Sequence, residues 1–150
     1  MKKKHFNWIL LGAALLWLVV IWGNSSYPRE QSAAKSGVVV ELLSLFLDKM
    51  NVPSEMRQFV VRKAAHFSEF FILGMICSAI FIKKPLPFPI GACLLTALCD
   101  EGIQYFVPGR SCELRDVAID FAGALAGIVL IKIFFSQRSL PPDRKKRKNH

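Results

Sequence analysis

Long, predominantly apolar segments constrain this chain more than any other feature of its sequence. The first runs from Phe6 to Trp22 without a charged residue. Three more follow, at residues 62–82, 90–107 and 116–135. A helix needs about 20 predominantly apolar residues to cross the hydrocarbon core of a bilayer. The four segments therefore predict an all-α integral membrane protein with four transmembrane helices.

The first segment follows three lysines, as a secretory signal peptide would. However, the bulky residues Trp17, Ile21 and Trp22 stand near its end, where a cleavage site needs small residues. We therefore interpret it as an uncleaved span.

The basic character of the chain does not indicate a nucleic-acid partner. The net charge is +9 over 150 residues, but 53% of the residues are hydrophobic, and the longest basic run, Arg144–Lys148, has no aromatic residues interleaved for base stacking. We interpret residues 137–150 as a basic cytoplasmic tail attracted to anionic head groups. The four cysteines have no C-x-x-C spacing, which argues against a zinc ribbon or a thioredoxin-type site.

The distribution of Lys and Arg predicts the orientation, because cytoplasmic flanks are enriched in these residues. Twelve of the 20 fall on the side that holds both termini, so we expect both termini in the cytoplasm. The loop at 24–61 is then extracytoplasmic. Within it, the pattern at 38–50 predicts a helix capped by Ser36. Such a helix is too short to span and is expected to lie at the outer interface.

Polar residues of three spans and one loop fall at the same predicted depth. Ionisable groups within a membrane span are costly and mark function by default. Helical spacing places those of each span on one face, so we expect a pocket that opens to the extracytoplasmic side. Its residues are Arg62, His66 and Glu69 of the second span, Asp100, Glu101 and Gln104 of the third, Arg110 of the next loop, and Asp116 and Asp120 of the fourth. The G-x-x-x-G sequence at Gly123–Gly127 predicts close helix packing that would hold the last two against a neighbouring helix.

Two motifs resemble the signatures of VanZ-like membrane proteins. Residues 62–70 read R-K-A-A-H-F-S-E-F, similar to the family's R-K-x-x-H-x-x-E-[YF]. Residues 100–110 read D-E-G-I-Q-Y-F-V-P-G-R and are followed by Asp116, similar to the family's second signature. The Ser25-Ser26-Tyr-Pro segment also resembles the family's Ser-rich stretch after the first span. Asp120 departs from the pattern, which has Asn there.

The resemblance covers about residues 20–130 and implies a small multi-pass protein of the bacterial envelope, in the cytoplasmic membrane. The family's founding member is associated with resistance to the glycopeptide teicoplanin. The resemblance supports a site and carries no reaction with it. It implies that this chain alters glycopeptide sensitivity through a lipid head group or a lipid-linked wall precursor.

Three interpretations of the polar pocket remain open. In the first, ion pairs such as Arg62–Glu69 or Arg110–Asp116 only lock the helix bundle. In the second, the pocket is catalytic, with His66, Glu69, Asp100 and Glu101 in acid–base roles, and Arg62, Gln104, Arg110, Asp116 and Asp120 binding the substrate.

In the third interpretation, the pocket binds a substrate or a metal ion without chemistry. One histidine among several carboxylates suits a hard divalent ion such as Mg²⁺, Ca²⁺ or Mn²⁺ better than structural zinc. The expected partners are the lipid bilayer and either a lipid-linked envelope substrate or a glycopeptide.

Overall fold

The chain folds into helices only, within the residues that the structure describes. The computed structural model describes the backbone of residues 2–138 and the side chains of residues 8–136. The helices are α1 (Lys2–Ser25), α2 (Arg29–Leu42), α3 (Ser44–Lys49), α4 (Ser54–Ile80), α5 (Pro87–Tyr105) and α6 (Leu114–Arg138). The predicted basic tail lies outside the described residues, apart from residues 137 and 138, which belong to α6.

Three of these helices are long and apolar enough to cross a membrane. They contain the segments Trp8–Ser25, Ser54–Ile80 and Leu114–Ser136. The 19-residue α5 is not among them, because Asp100, Glu101 and Gln104 near its end offset its apolar residues. The all-helical membrane architecture is confirmed, and the fourth span stays a prediction.

The helix that contains the second predicted span begins eight residues before residue 62. The helix α4 begins at Ser54, directly after Pro53. Proline is not tolerated inside a helix, so α4 cannot extend further towards the N-terminus. Its first turns carry the charged residues Glu55 and Arg57. This part of the helix therefore does not belong to an apolar segment and was not predicted. The 27 residues of α4 rise about 40 Å in total, longer than a bilayer core.

The prediction of a single helix at 38–50 was wrong. The segment forms α2, which starts nine residues earlier at Arg29, and the short α3, with a break at Leu43. Ser36 does not cap a helix, because it lies inside α2 and its hydroxyl donates to the carbonyl of Ser32. Pro28 precedes the first turn of α2 instead.

The closest packing in the bundle joins α4 to α6. A Cβ atom at Gly123 or Gly127 would collide with the backbone carbonyls of Phe67 and Phe71, and one at Gly74 would collide with α6. The predicted G-x-x-x-G contact is therefore confirmed. All four long helices contribute to the apolar core, which consists of Ile21, Phe70, Leu73, Cys77, Cys93, Ala97, Ala124 and Ile128.

One end of the bundle is where α1 and α5 end and α6 begins, and we call it the polar end. There the indole Nε1 of Trp17 donates to the backbone oxygen of Glu69 at 2.8 Å, which ties α1 to α4. At the opposite end, Lys132 Nζ donates to the carbonyl of Ile82. The fold thus brings the polar residues of four helices to one level.

Candidate functional site

Three side chains from three helices meet at the centre of the polar end. These are His66 of α4, Asp100 of α5 and Asp120 of α6, and one ligand atom from each lies within 4.8 Å of the others. The Nδ1 atom of His66 is 3.5 Å from Oδ1 of Asp120, beyond the usual N–H···O range. Both aspartates are fully buried. We call these three residues the central cluster.

Asp100 is held by two donors on one of its oxygens. The hydroxyl of Ser25 and the amide Nε2 of Gln104 both donate to Oδ2 at 2.8 Å. Its other oxygen, Oδ1, is buried without a hydrogen-bond partner. The carboxylate is therefore fixed in orientation with one oxygen left over.

Two further predicted acids bind groups outside the central cluster. Glu69 accepts a hydrogen bond from Nδ2 of Asn24 at 2.7 Å. Glu101 accepts one from the backbone N–H of Glu113 at 2.8 Å, so it anchors the loop between α5 and α6. Neither carboxylate hydrogen-bonds to His66. The carboxylate nearest to it is that of Asp120.

The expected ion pairs are replaced by others. Asp116 pairs with Lys63 of α4, and its predicted pairing with Arg110 is wrong. Glu69 likewise binds Asn24 and forms no ion pair with Arg62. Lys63 lies on α4 and Asp116 on α6. The close contact of these helices at Gly123 and Gly127 keeps the two side chains within ion-pair distance.

Arg110 retains unused hydrogen-bonding capacity. Its Nε donates to the carbonyl of Tyr27 at 3.1 Å, while Nη1 is buried without a partner. Burial lowers the pKa of this guanidinium from its ordinary value, and the nearby positive charge of Arg62 lowers it further. An anion placed between the two arginines would relieve this repulsion.

A large cavity of about 710 Å³ lies between α4 and the α2–α3 segment. One part of its wall is apolar, with Val39, Phe46 and Val60 among its residues. The other part is polar and includes His66 and Arg62. We call it the amphipathic cavity.

A second cavity of about 160 Å³ lies next to the first. Arg62 and Arg110 line both cavities. Three more cations, Arg29, Lys63 and Arg115, line only this one. We call it the cationic cavity. The acidic side chains in its wall are Glu113, which binds Ser111 and Arg115, and Asp116.

All nine predicted site residues lie at the polar end or in the loop beside it. His66, Asp100 and Asp120 form the central cluster, while Arg62 and Arg110 line the cavities. Within the described side chains, no hydroxyl or thiol hydrogen-bonds to His66. The roles assigned to these residues stay predictions.

Three contributors were missing from the predicted site. Asn24 and Ser25 at the end of α1 bind Glu69 and Asp100, and Lys63 binds Asp116. A signal existed for each, because Ser25 opens the Ser-rich stretch after the first span and Lys63 is the second residue of the R-K-x-x-H motif. Asn24 directly precedes that stretch.

Comparison with known proteins identifies a family for this chain but no individual protein that matches it. The family model described as VanZ/LLP1 matches residues 10–135, a range that includes every residue of the central cluster and both shared arginines. No curated protein and no solved structure matches the chain. The match covers most of the sequence and includes the greater part of each of the three helices that are apolar enough to span a bilayer. The chain is therefore a membrane protein of the VanZ/LLP1 family.

Proposed function

We propose that this protein acts in the bacterial cell envelope by binding an anionic, lipid-linked molecule at the extracytoplasmic face of the cytoplasmic membrane. Binding would alter the sensitivity of the cell to glycopeptides such as teicoplanin. The ligand is a lipid head group or a lipid-linked wall precursor. The observation that carries this proposal is the adjacency of the amphipathic and cationic cavities, which share Arg62 and Arg110.

The amphipathic cavity supports a ligand with an apolar chain. Its volume of about 710 Å³ falls in the range of roughly 300–1,000 Å³ that is usual for small-molecule sites. Its apolar wall comes from α2, α3 and the first half of α4. Leu42 and Leu45 of the same segment are exposed and do not line the cavity, which favours contact of this segment with a lipid surface. An acyl or isoprenoid chain would have access from the bilayer.

The cationic cavity supports an anionic head group. Five cations line it, and the arginine side chains among them can bind phosphate bidentately. Nη1 of Arg110 has no partner in the protein, so a phosphate oxygen would satisfy a buried donor. A head group in this cavity would lie directly beside a chain in the amphipathic cavity.

The proposed topology has four spans with both termini in the cytoplasm. The 19 residues of α5 rise about 28 Å, close to the thickness of a bilayer core. Its exposed side is apolar, with Leu94, Leu95 and Leu98, while Cys93 and Ala97 on the other side lie in the core. In this topology α2 and α3 lie at the outer interface as amphipathic helices.

A second candidate is a structural role, in which the charged residues only hold the helices together. The pairing of Lys63 with Asp116 between α4 and α6 favours this alternative. The same two helices are already joined by the contacts of Gly123 and Gly127, and the pair explains neither cavity. The two candidates differ in whether a change in the cavity wall affects the cell without reducing the amount of folded protein.

Antibiotic susceptibility in a Gram-positive host tests the proposal. The host expresses the wild type, Arg62→Gln or Arg57→Gln, with membrane levels matched by immunoblot. Arg57 is the matched control, because it lies on α4, pairs with exposed Asp48 and lines neither cavity. We expect the wild type and Arg57→Gln to raise tolerance to teicoplanin, and Arg62→Gln to return it to that of cells without the protein.

Two results would contradict the proposal. Unchanged teicoplanin tolerance on expression of the wild type would remove the glycopeptide link. Equal tolerance conferred by Arg62→Gln and the wild type would exclude the shared arginine as a determinant. A fall in membrane level for Arg62→Gln alone would favour the structural role instead.

A further inference from the structure

We infer that His66, Asp100 and Asp120 bind a divalent transition-metal ion, such as Zn²⁺ or Mn²⁺, at the centre of the polar end. This inference goes beyond the proposed function and does not depend on it, because metal binding is measured on the purified protein without any lipid ligand or antibiotic.

Unsatisfied polar atoms in the central cluster indicate a missing partner. Both oxygens of Asp120 are buried without a hydrogen bond, and so are Oδ1 of Asp100 and Nδ1 of His66. Asp120 is itself fully buried. Buried polar atoms in proteins are nearly always paired, and a buried carboxylate without a cation is among the costliest cases. Four such atoms within one cluster favour an ion that binds them together.

The distances within the cluster fit the coordination of one ion. Two ligand atoms of a tetrahedral ion with bonds of about 2.1 Å lie about 3.4 Å apart. The separation of His66 Nδ1 from Asp120 Oδ1 is 3.5 Å, too long for a good hydrogen bond but suited to two ligands of the same ion. All three side chains offer a ligand atom within 4.8 Å, so small side-chain rotations would complete the set.

The surrounding protein orients these ligands as metal sites require. Ser25 and Gln104 hold one oxygen of Asp100, which leaves the other free. Hydrogen bonds from such outer groups fix a ligating carboxylate in other metal sites. Contacts of Gly123 with the backbone at Phe67 hold α6 against α4 and so set the spacing of Asp120 and His66.

Charge balance also favours a cation here. Among the described side chains, the only basic group within ion-pair distance of either buried aspartate is His66, since Lys63 is paired with Asp116. Only two carboxylates meet the histidine here, fewer than the sequence suggested, and one nitrogen with two carboxylates suits Zn²⁺ or Mn²⁺. They suit Ca²⁺ less well, because this ion takes six to eight oxygen ligands. Three protein ligands would leave a position open for water or a ligand oxygen.

Metal content and thermal stability of the purified protein test this inference. The protein is purified in detergent with a tag that contains no histidine, stripped with EDTA, and titrated separately with Zn²⁺, Mn²⁺, Mg²⁺ and Ca²⁺. Bound metal is counted by elemental analysis after dialysis. The variants are Asp120→Asn, which is isosteric, and Asp48→Asn, the matched control that removes an exposed carboxylate from the Arg57 pair.

We expect the wild type and Asp48→Asn to retain one Zn²⁺ or Mn²⁺ per chain and to unfold at a higher temperature with that ion. Asp120→Asn is expected to bind at least about tenfold more weakly, because even the loss of a group that only orients a ligand typically costs 10–100-fold in affinity. Helical circular dichroism checks that this variant folds. If it does not fold, the measurement on the wild type decides alone.

Two outcomes would overturn the inference. In one, the stripped wild type retains none of the four ions and its unfolding temperature does not change with any of them. In the other, folded Asp120→Asn binds the same ion with the affinity of the wild type, which would place the metal elsewhere, for example on the other histidines of the chain.

Discussion

At the scale of single residues, the hydroxyl of Ser25 determines how a buried acid is accommodated. It donates to Asp100 from the end of another helix, and both side chains are fully buried. Loss of one partner leaves a buried acceptor less well satisfied, and water cannot replace the partner in a packed interior. The hydrogen bond therefore stabilises the contact between α1 and α5 as well as the orientation of the carboxylate.

We expect Ser25→Ala to reduce the free energy of unfolding by about 1.5–3 kcal/mol, the usual contribution of a hydrogen bond to a charged group. Ser26→Ala is the matched control, because exposed Ser26 only bonds the carbonyl of Trp22 within its own helix end. Denaturant unfolding of the purified protein in detergent measures both. Equal stability of the two variants would show that the Ser25 hydrogen bond contributes nothing.

Most residues of the polar end could be predicted from the sequence, but most of their partners could not. Depth along each span follows from the position in the apolar segment, so residues such as His66 and Asp120 were expected at one level. Partners depend on the rotation of each helix about its axis, which the glycine contacts determine. For this reason Asp116 was expected to pair with Arg110 and pairs with Lys63 instead.

At the scale of helices, the contact of α4 with α6 determines the geometry of the site. Gly123 and Gly127 let the two backbones touch, and the pairs Lys63–Asp116 and His66–Asp120 lie on the same two helices. Any increase in the distance between the helices would separate both pairs. Packing between small residues is thus the means by which the ionisable groups are brought together.

We expect Gly127→Ala to destabilise the fold by about 1–3 kcal/mol, as overpacking of a close contact does, because its Cβ would collide with the carbonyl of Phe71. Gly12→Ala in α1 is the control, since no atom lies within 4 Å of the Cβ position there. Denaturant unfolding in detergent compares them. A Gly127→Ala protein as stable as Gly12→Ala would contradict the proposed role of this contact.

The helices themselves were predicted more reliably than their ends. Apolar segments predicted the four long helices, since burial in lipid or in the core requires such residues. The first eight residues of α4 and the first nine of α2 were missed, because charged helical turns outside the membrane have no apolar pattern. Pro28 and Pro53, which directly precede these helices, were the clues available in the sequence.

At the scale of the whole molecule, the account depends on whether α5 crosses the membrane. A fourth span places the loop with Arg110 and Cys112 on the opposite side from the turn with Lys84. It also places the polar end and both cavities at the extracytoplasmic face, where an envelope ligand would be found. Without a fourth span, the loop with Arg110 and the turn with Lys84 would lie on the same side of the membrane. The two cavities would then not be placed at the extracytoplasmic face, where the proposed ligand would bind.

Labelling of cysteines in intact cells with a membrane-impermeant maleimide tests this most directly. Cys112 is exposed in the loop between α5 and α6, while Cys77 and Cys93 are buried. Exposed Cys99 lies on α5 within the proposed span. The wild type reports on Cys112. A double variant, Lys84→Cys with Cys112→Ala, reports on position 84, and Cys112→Ala alone measures the background labelling of the other cysteines.

The four-span topology predicts that Cys112 is labelled in intact cells and that the Lys84→Cys protein is labelled only after the membrane is permeabilised. Labelling of both positions from the same side would contradict the account, because α5 would then not cross the bilayer.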